Sequence, residues 1–168
     1  WNKCISLGEN YNITPYGTEA MHVLRAEKGY IIVGQETDGS VTPIDLDMNW
    51  IVSKKKYDFI GKRALNRSDT VKENRKQLVG ILTVDPSIVL EEGSHLVEVE
   101  TSIPMPMVGH ITSSYYSPNL GRSIALGLVQ SGTKKKGTKL IVPTTNKSIE
   151  VEITSPVFID PENERLFA

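Results

Sequence analysis

The sequence predicts an α+β fold in two parts, a mixed first part over residues 1–70 and a small antiparallel β-barrel over residues 71–168. Three observations predict it. Residues 18–28 repeat apolar side chains with the 3.6-residue period of a helix. Residues 77–154 contain short runs rich in β-branched side chains, separated by turn sequences. The polar stretch 66–76, NRSDTVKENRK, lies between the two patterns and marks the domain boundary.

The helix is predicted to start after Thr18, whose side chain can cap the first turn, and to span residues 19–28. Gly29 is expected to end it, because glycine adopts the left-handed backbone of many helix termini. One face of this helix carries four residues: Ala20, Val23, Leu24 and Glu27. Three of them are apolar, so Glu27 is the residue that does not fit a core-facing helix.

The position of Glu27 requires an explanation. Moving a carboxylate toward a protein core costs free energy unless hydrogen bonds or an opposite charge compensate. Two explanations remain open. The first is a structural ion pair with a basic side chain, since such networks are common. The second is a binding site in which a ligand donates hydrogen bonds to the carboxylate.

The rest of the first part is predicted to alternate short strands and short helices. Residues 30–33 and 49–53 favour strands because they are rich in β-branched and aromatic side chains. Thr42 and Pro43 are a typical N-cap and first-turn pair for a short helix. A last short helix is predicted around residues 61–65, after a turn.

Six runs in the second part are predicted to be strands: QLVGILTV, SHLVEVE, MVGHITSSYY, SIALGLV, TKLIV and SIEVEIT. Turn sequences separate them, such as SPN at 117–119 and Lys136-Gly137. Strands connected over such short distances are most often antiparallel, and small all-β modules remove exposed edges by closing. The second part is therefore predicted to be a barrel.

Composition and charge disfavour several classes of function. The chain has 168 residues, of which 39% are hydrophobic, and 19 basic against 20 acidic residues leave a net charge of −1. We therefore expect no nucleic-acid partner and no membrane partner. Cys4 is the only cysteine, which excludes an internal disulfide and fits a reducing cytoplasm. A start at Trp1 in place of methionine suggests a piece of a longer polypeptide.

The sequence lacks several common catalytic and metal-binding motifs. The sequence contains no glycine-rich dinucleotide signature, no P-loop and no nucleophile elbow. The histidines His22, His95 and His110 lack the spacing of metal ligands. We therefore predict no metal site and no catalytic residue within this chain.

A run of three lysines follows the predicted strand at 49–53. Strand alternation would place Trp50, Val52, Lys54 and Lys56 on one face. Two interpretations are open, a strand end whose charges face water and an anion-binding site.

Several of these motifs occur together in a known family. The segments LRAEKG, GQETDG, TP, W and DFIGKRAL resemble the L-R-L-E-A-G, Y-G-x-D-x-D, T-P and W-x-x-x-K motifs of the aminomethyltransferase family, the glycine-cleavage T-protein and its relatives. The segment VGHITSSYYSPNLGRSIALGLV is similar to the hairpin that starts that family's barrel. The resemblance covers residues 13 to 160.

The resemblance implies the C-terminal part of a folate-binding α/β domain followed by the barrel, with a partial tetrahydrofolate site. In that family the glutamate of L-R-x-E-x-G contacts the folate pterin, and the matching residue is Glu27. A pterin presents a ring N–H beside an amino group, and one carboxylate can accept both hydrogen bonds. A folate-binding arginine of the family matches Lys56, which offers a point charge without the planar fork.

Within the family, the chain resembles in particular the C-terminal part of the alpha subunits of heterotetrameric sarcosine oxidases. The whole enzyme so implied oxidises the N-methyl group of sarcosine with O₂, passes the one-carbon unit to tetrahydrofolate and leaves glycine and hydrogen peroxide. The implied partners are the other sarcosine oxidase subunits, with flavin and NAD bound elsewhere in the complex. The family's proposed catalytic aspartate lies upstream of Trp1, so this segment alone is expected to be inactive.

Two other functions stay open. A free-standing folate-dependent aminomethyltransferase is favoured if the upstream sequence is short and lacks a dinucleotide signature. A nonenzymatic β-barrel interaction module is favoured if Glu27 is paired internally with Lys56 or Arg63 and adjoins no cleft.

Overall fold

Six antiparallel strands form a nearly closed barrel in the computed structural model, which describes residues 1–100 and 103–167. The strands are β1 (Lys76–Thr83), β2 (His95–Leu96), β3 (Gly109–Ser117), β4 (Arg122–Gln130), β5 (Lys139–Pro143) and β6 (Ser148–Thr154). They pair in the order β2-β3-β4-β1-β6-β5. Each predicted run overlaps one of these strands, so the α+β fold with an antiparallel barrel is confirmed.

The barrel closes where the two outer strands of the sheet meet. Val97, directly after β2, forms an isolated antiparallel bridge with Ile141 of β5. Each residue donates its amide to the carbonyl oxygen of the other at 2.9 Å. Closure pairs the two edges with each other, which is the usual way in which a small barrel avoids pairing with other chains.

Aliphatic side chains on alternate strand positions fill the interior of the barrel. The buried residues of this core include Val79, Ile81, Leu96, Ile111, Val129, Val151 and Ile153. A second cluster lies on the opposite faces of β1 and β4, built on Leu78, Leu126 and Leu128. Leu46 and the partly buried Ile31, Val41, Met48 and Phe158 pack against it. The first part of the chain is thus attached to the outside of the barrel.

Two α-helices precede the barrel, α1 (Asn2–Gly8) and α2 (Thr18–Glu27). The second confirms the predicted helix, except that Thr18 is its first residue and Gly17 occupies the N-cap position. Gly29 follows the helix with a φ of 73°, as expected for a terminating glycine. A Cβ atom at Gly29 would lie 2.6 Å from the carbonyl oxygen of Pro156, so the C-terminal segment packs directly on this turn.

The face of α2 that meets the barrel differs from the predicted one. Ala26 and Glu27 are buried, whereas Leu24 is 49% exposed and Ala20 is also exposed. The expectation that Ala20 and Leu24 face the core is therefore wrong. The helix is rotated because Arg25 binds Glu36 and, on β3, Ser113, so hydrogen bonds as well as apolar contacts decide which side is buried.

Neither predicted strand of the first part forms, although the structure describes both segments. Asn49–Ile51 is a 3-10 helix, and Val33 makes a single bridge with Thr37. Ile31 instead packs as a single side chain on the outer face of the barrel. The short helix predicted around residues 61–65 is a 3-10 helix over Ala64–Asn66.

A buried carboxylate, Asp45, ties this irregular region to β1. The backbone N–H and the hydroxyl of Thr42 each donate to Asp45 Oδ2 at 2.8 Å, which is N-cap geometry without a helix behind it. Arg75 binds the same carboxylate, with Nη2–Oδ2 at 2.6 Å and Nε–Oδ1 at 2.9 Å. The predicted helix at Thr42 is therefore a single turn held by an arginine from the start of the barrel.

A second buried carboxylate, Glu36, ties α2 to β3, and its side chain is fully buried. Its Oε2 atom accepts hydrogen bonds from Arg25 Nη1 at 3.0 Å and from the Ile32 amide at 2.8 Å. Its Oε1 atom accepts from the hydroxyls of Thr112 at 2.9 Å and Ser113 at 2.5 Å. Arg25 Nη2 also donates to Ser113 Oγ at 2.6 Å, so one network fixes the helix on the strand.

Acidification should release the contact between Asp45 and Arg75. Burial alone would raise the pKa of Asp45, but the hydrogen bonds from Arg75 and Thr42 outweigh it and hold this pKa below 3.8. A carboxyl group with a lowered folded-state pKa stabilises the fold above its unfolded pKa, and this contribution is lost as pH falls through the folded pKa.

The free energy of unfolding, measured with urea, should therefore decline below about pH 4, and by less in Asp45→Asn than in the parent chain. Asp69→Asn is the control, because the ion pair of Asp69 with Arg67 is exposed. This variant should keep the pH dependence of the parent. An unchanged pH dependence in Asp45→Asn would contradict the assignment.

Glu36→Ala should lower the free energy of unfolding by about 3–5 kcal/mol, because it leaves the Arg25 guanidinium, 9% exposed, without its buried counter-charge. The double variant Arg25→Met/Glu36→Leu should lose less than the two single variants together. Chemical denaturation measures both quantities. Glu150→Ala is the control, since its ion pair with Lys139 is exposed, and equal losses for the two glutamates would contradict the role of Glu36.

Candidate functional site

The Glu27 carboxylate lies at the C-terminal end of α2, beneath the turn that joins β3 to β4. The residue is 3% exposed. Ser117, the last residue of β3, donates its hydroxyl to Oε1 at 2.5 Å. Asn119 in the turn donates Nδ2 to both carboxylate oxygens, at 3.1 Å to Oε1 and 2.9 Å to Oε2.

The backbone of Glu27 is fixed from a third direction. Its carbonyl oxygen accepts the amides of Phe158 at 2.9 Å and Ile159 at 3.0 Å, both from the segment after β6. The neighbouring Lys28 binds the Asp160 carboxylate at 3.1 Å. Glu27 is therefore held between the helix, the β3–β4 turn and the C-terminal segment, so its carboxylate has a defined orientation.

Neutral donors, and not a counter-charge, satisfy the Glu27 carboxylate in the part of the chain that the structure describes. Neither Lys56 nor Arg63 forms an ion pair with it there. A carboxylate can accept about four hydrogen bonds, and Oε2 is engaged by Asn119. The carboxylate therefore keeps acceptor capacity for a further donor.

Sequence reasoning did not find Ser117 and Asn119. They lie 90 and 92 residues from Glu27 along the chain. The SPN sequence at 117–119 predicts a turn. A local sequence pattern cannot show that this turn contacts a distant helix. Only the packing of α2 across β3 brings these residues together.

A layer of polar and aromatic side chains continues from Glu27 along the interface of α2 and β3. The His22 ring stacks on Tyr115 with 6.4 Å between ring centroids, and the Arg25 guanidinium lies 5.6 Å from the centre of the same ring. The Nδ1 atom of His22 is buried without a hydrogen-bond partner among the described residues. His22 thus packs on Tyr115 of β3, the strand whose last residue binds Glu27.

Lys56 lies in a different part of the first region. It is exposed and lines an open cleft of about 490 Å³ whose walls include Ile51, Val52, Phe59 and Leu65. Its amide donates to Ser53 Oγ at 3.3 Å. The cleft combines apolar walls with the exposed ammonium group of Lys56. This composition suits a ligand with an apolar body and an anionic end.

Trp50 does not share the cleft of Lys56. It is 79% exposed and lines a groove of about 370 Å³ beside the end of α2, together with Lys28, Gly29 and Tyr30. Because residues 49–51 form a 3-10 helix, the strand alternation that placed Trp50 and Lys56 on one face does not hold. The groove of Trp50 is the one that adjoins the helix of Glu27.

His110 lies in β3 and lines a small pocket of about 240 Å³ with Asp38, Arg75 and Lys76. Burial and then the charge of Lys76 lower the pKa of His110 below 6.5. Within the described ranges, no group of three or more His, Cys, Asp or Glu residues is placed to hold a metal ion. No helix in these ranges has the length and apolar character needed to cross a bilayer.

Comparisons with known proteins find the same family in both parts of the chain. The model of the GCVT N-terminal domain matches residues 1–56, and that of the glycine cleavage T-protein C-terminal barrel domain matches residues 76–160. Sarcosine oxidase subunit alpha of Corynebacterium sp. (strain P-1) is 50% identical over 168 residues. This match covers 98% of the chain and 17% of the relative.

Aminomethyltransferase of Thermotoga neapolitana is 32% identical over 158 residues, covering 94% of the chain and 41% of that protein. The crystal structure of glycine cleavage system aminomethyltransferase T from Bartonella henselae has the same fold, with a TM-score of 0.80. Its sequence identity is 24%, and the match covers 94% of the chain and 43% of that structure. Because the family models match the helical part and the barrel in turn, the chain belongs to the aminomethyltransferase family of the glycine cleavage T-protein.

Proposed function

We propose that this chain is the tetrahydrofolate-binding C-terminal region of a sarcosine oxidase alpha subunit. The main support is the difference in similarity, 50% identity to a sarcosine oxidase alpha subunit against 32% to an aminomethyltransferase. The chain spans 17% of the length of the alpha subunits that it matches, so the activity belongs to the intact protein. By this proposal the segment alone is inactive and holds part of the acceptor site.

In the proposed reaction of the intact enzyme, sarcosine, O₂ and tetrahydrofolate are converted to glycine, 5,10-methylenetetrahydrofolate and hydrogen peroxide. Two electrons leave the N-methyl group of sarcosine and reduce O₂ to the peroxide. Tetrahydrofolate supplies the two nitrogens that accept the one-carbon unit. Flavin, NAD and the catalytic residue belong to other parts of the complex, and the other sarcosine oxidase subunits are the proposed partners.

In this proposal Glu27 recognises the pterin end of the folate. A pterin offers a ring N–H and an amino group on one edge, and these two donors match the two oxygens of a carboxylate. The orientation of Glu27 supports the match, because Ser117 and the C-terminal segment fix it before a ligand arrives. Lys56 would attract a carboxylate of the folate tail as a point charge.

The proposed division of the chain is a C-terminal portion of the folate-binding domain over residues 1–70 and a barrel domain over residues 71–168. In this arrangement α2 and Glu27 pack against the barrel. We propose a cytoplasmic location, supported by the single cysteine, Cys4, which is exposed and unpaired.

Two alternatives have specific support. A free-standing aminomethyltransferase is consistent with the 41% coverage of the Thermotoga neapolitana protein. The intact polypeptide distinguishes it, since a dinucleotide signature upstream would favour the oxidase. A nonenzymatic interaction module is consistent with the burial of Glu27, and it requires that no folate binds.

Glu27→Gln in the intact protein should weaken binding of a reduced folate by about 10- to 100-fold, because a neutral amide loses charge-assisted hydrogen bonds to the pterin. Equilibrium titration with 5-formyltetrahydrofolate measures the dissociation constant. Glu19→Gln is the matched control, since it removes the same charge from the exposed first turn of α2 and should leave affinity unchanged. Unchanged affinity in Glu27→Gln, with the fold intact, would exclude the proposed site.

Lys56→Ala should weaken binding of 5-formyltetrahydrofolate a few-fold, and the difference should shrink as salt screens the exposed charge. Lys56→Arg should bind at least as well as the parent, because the guanidinium can hold a carboxylate with two hydrogen bonds. Lys55→Ala is the control, since Lys55 is equally exposed but does not line the cleft. Identical effects of Lys55→Ala and Lys56→Ala would exclude a specific role for Lys56.

A further inference from the structure

The two side chains that bind the Glu27 carboxylate differ in how firmly they are held. Ser117 is fully buried, and its Oγ atom also accepts the amide of Leu120 at 3.1 Å. Asn119 is exposed, in the turn between Ser117 and the start of β4. The carboxylate therefore has one fixed donor beneath it and one donor that reaches it from the protein surface.

The contact made by Asn119 resembles the contact expected from a ligand. A single Nδ2 group is shared between the two oxygens, at 3.1 and 2.9 Å. A ring N–H next to an amino group would place one donor on each oxygen and so satisfy both more completely. The side chain of Asn119 thus occupies the position that a two-donor ligand edge requires.

Asn119 can leave this position without disturbing the fold. The Leu120 amide donates to the Ser117 hydroxyl oxygen, and this bond does not involve the Asn119 side chain, which can therefore rotate without breaking it. Exposed side chains change rotamer within nanoseconds. Because Asn119 is exposed, water can satisfy its amide once it has rotated away from the carboxylate.

We propose that Asn119 is a displaceable internal donor that covers the ligand-binding edge of Glu27 and must move aside when a pterin or another ligand with a ring N–H beside an amino group binds. This inference rests on the proposed function of Glu27. Ser117 remains in place and keeps the carboxylate oriented in both states. In the covered state Ser117 and Asn119 keep the buried charge hydrogen-bonded.

Covering the site lowers its apparent affinity. The observed dissociation constant equals the intrinsic constant divided by the fraction of molecules in which Asn119 has moved aside. Asn119→Ala removes the competing donor and should lower the dissociation constant for 5-formyltetrahydrofolate by about three- to tenfold. Ser117→Ala should act in the opposite direction, because it frees the carboxylate to rotate.

The experiment is a set of equilibrium titrations of the intact protein with 5-formyltetrahydrofolate, comparing the parent with Glu27→Gln, Asn119→Ala and Asn146→Ala. Asn146 lies in the exposed turn between β5 and β6 and is the matched control, whose affinity should equal that of the parent. Thermal unfolding of each variant verifies that the fold is kept.

The outcomes separate this inference from the proposed function. Weaker binding in Glu27→Gln with tighter binding in Asn119→Ala supports both. Weaker binding in Glu27→Gln with unchanged or weaker binding in Asn119→Ala overturns the displacement and leaves the folate site in place. Unchanged binding in Glu27→Gln overturns both, because the carboxylate would then not meet the ligand.

Discussion

The buried ion pair of Arg25 with Glu36 decides where the helix lies on the barrel, and the position of Glu27 follows from it. Both charges are largely removed from water, and hydrogen bonds from Arg25 to Ser113 and from Thr112 and the Ile32 amide to Glu36 offset part of the cost. Glu27 follows Arg25 by two residues in the helix, and its carboxylate accepts a hydrogen bond from Ser117 at the end of β3. Arg25 thus binds Ser113 within β3 and Glu27 binds Ser117 at its end, so hydrogen bonds as well as shape set the register between the two elements.

Three distant segments meet at one glutamate, which explains how a site can form without a local motif. The helix supplies the carboxylate, the β3–β4 turn supplies the donors, and the segment after β6 binds the backbone carbonyl. Gly29 makes the last contact possible, because any side chain there would meet the carbonyl of Pro156. The barrel therefore acts as a rigid platform, since its closed ladder of strands fixes the turn against the C-terminal segment.

The positions of the barrel strands could be predicted from the sequence because turn residues and β-branched runs are local signals, and the 3.6-residue apolar period predicted α2. The rotation of that helix could not be predicted, since Leu24 is apolar but Arg25 has the stronger partners, and one of them, Ser113, lies on a strand 88 residues away. The same limit applies to Tyr30–Val33, whose β-branched residues favour a strand locally. Within the described ranges these residues pair with no barrel strand, and Ile31 packs on the outer surface of the barrel instead.

The seam between β2 and β5 has a consequence for self-association. One pair of reciprocal hydrogen bonds, between Val97 and Ile141, keeps two short strands from becoming free edges. If the seam opens, Leu140 and Val142 of β5 lie next to unpaired backbone groups, and a free apolar edge is a template for pairing with another molecule. Protection of these two edges against pairing with another molecule therefore depends on the backbone atoms of Val97 and Ile141.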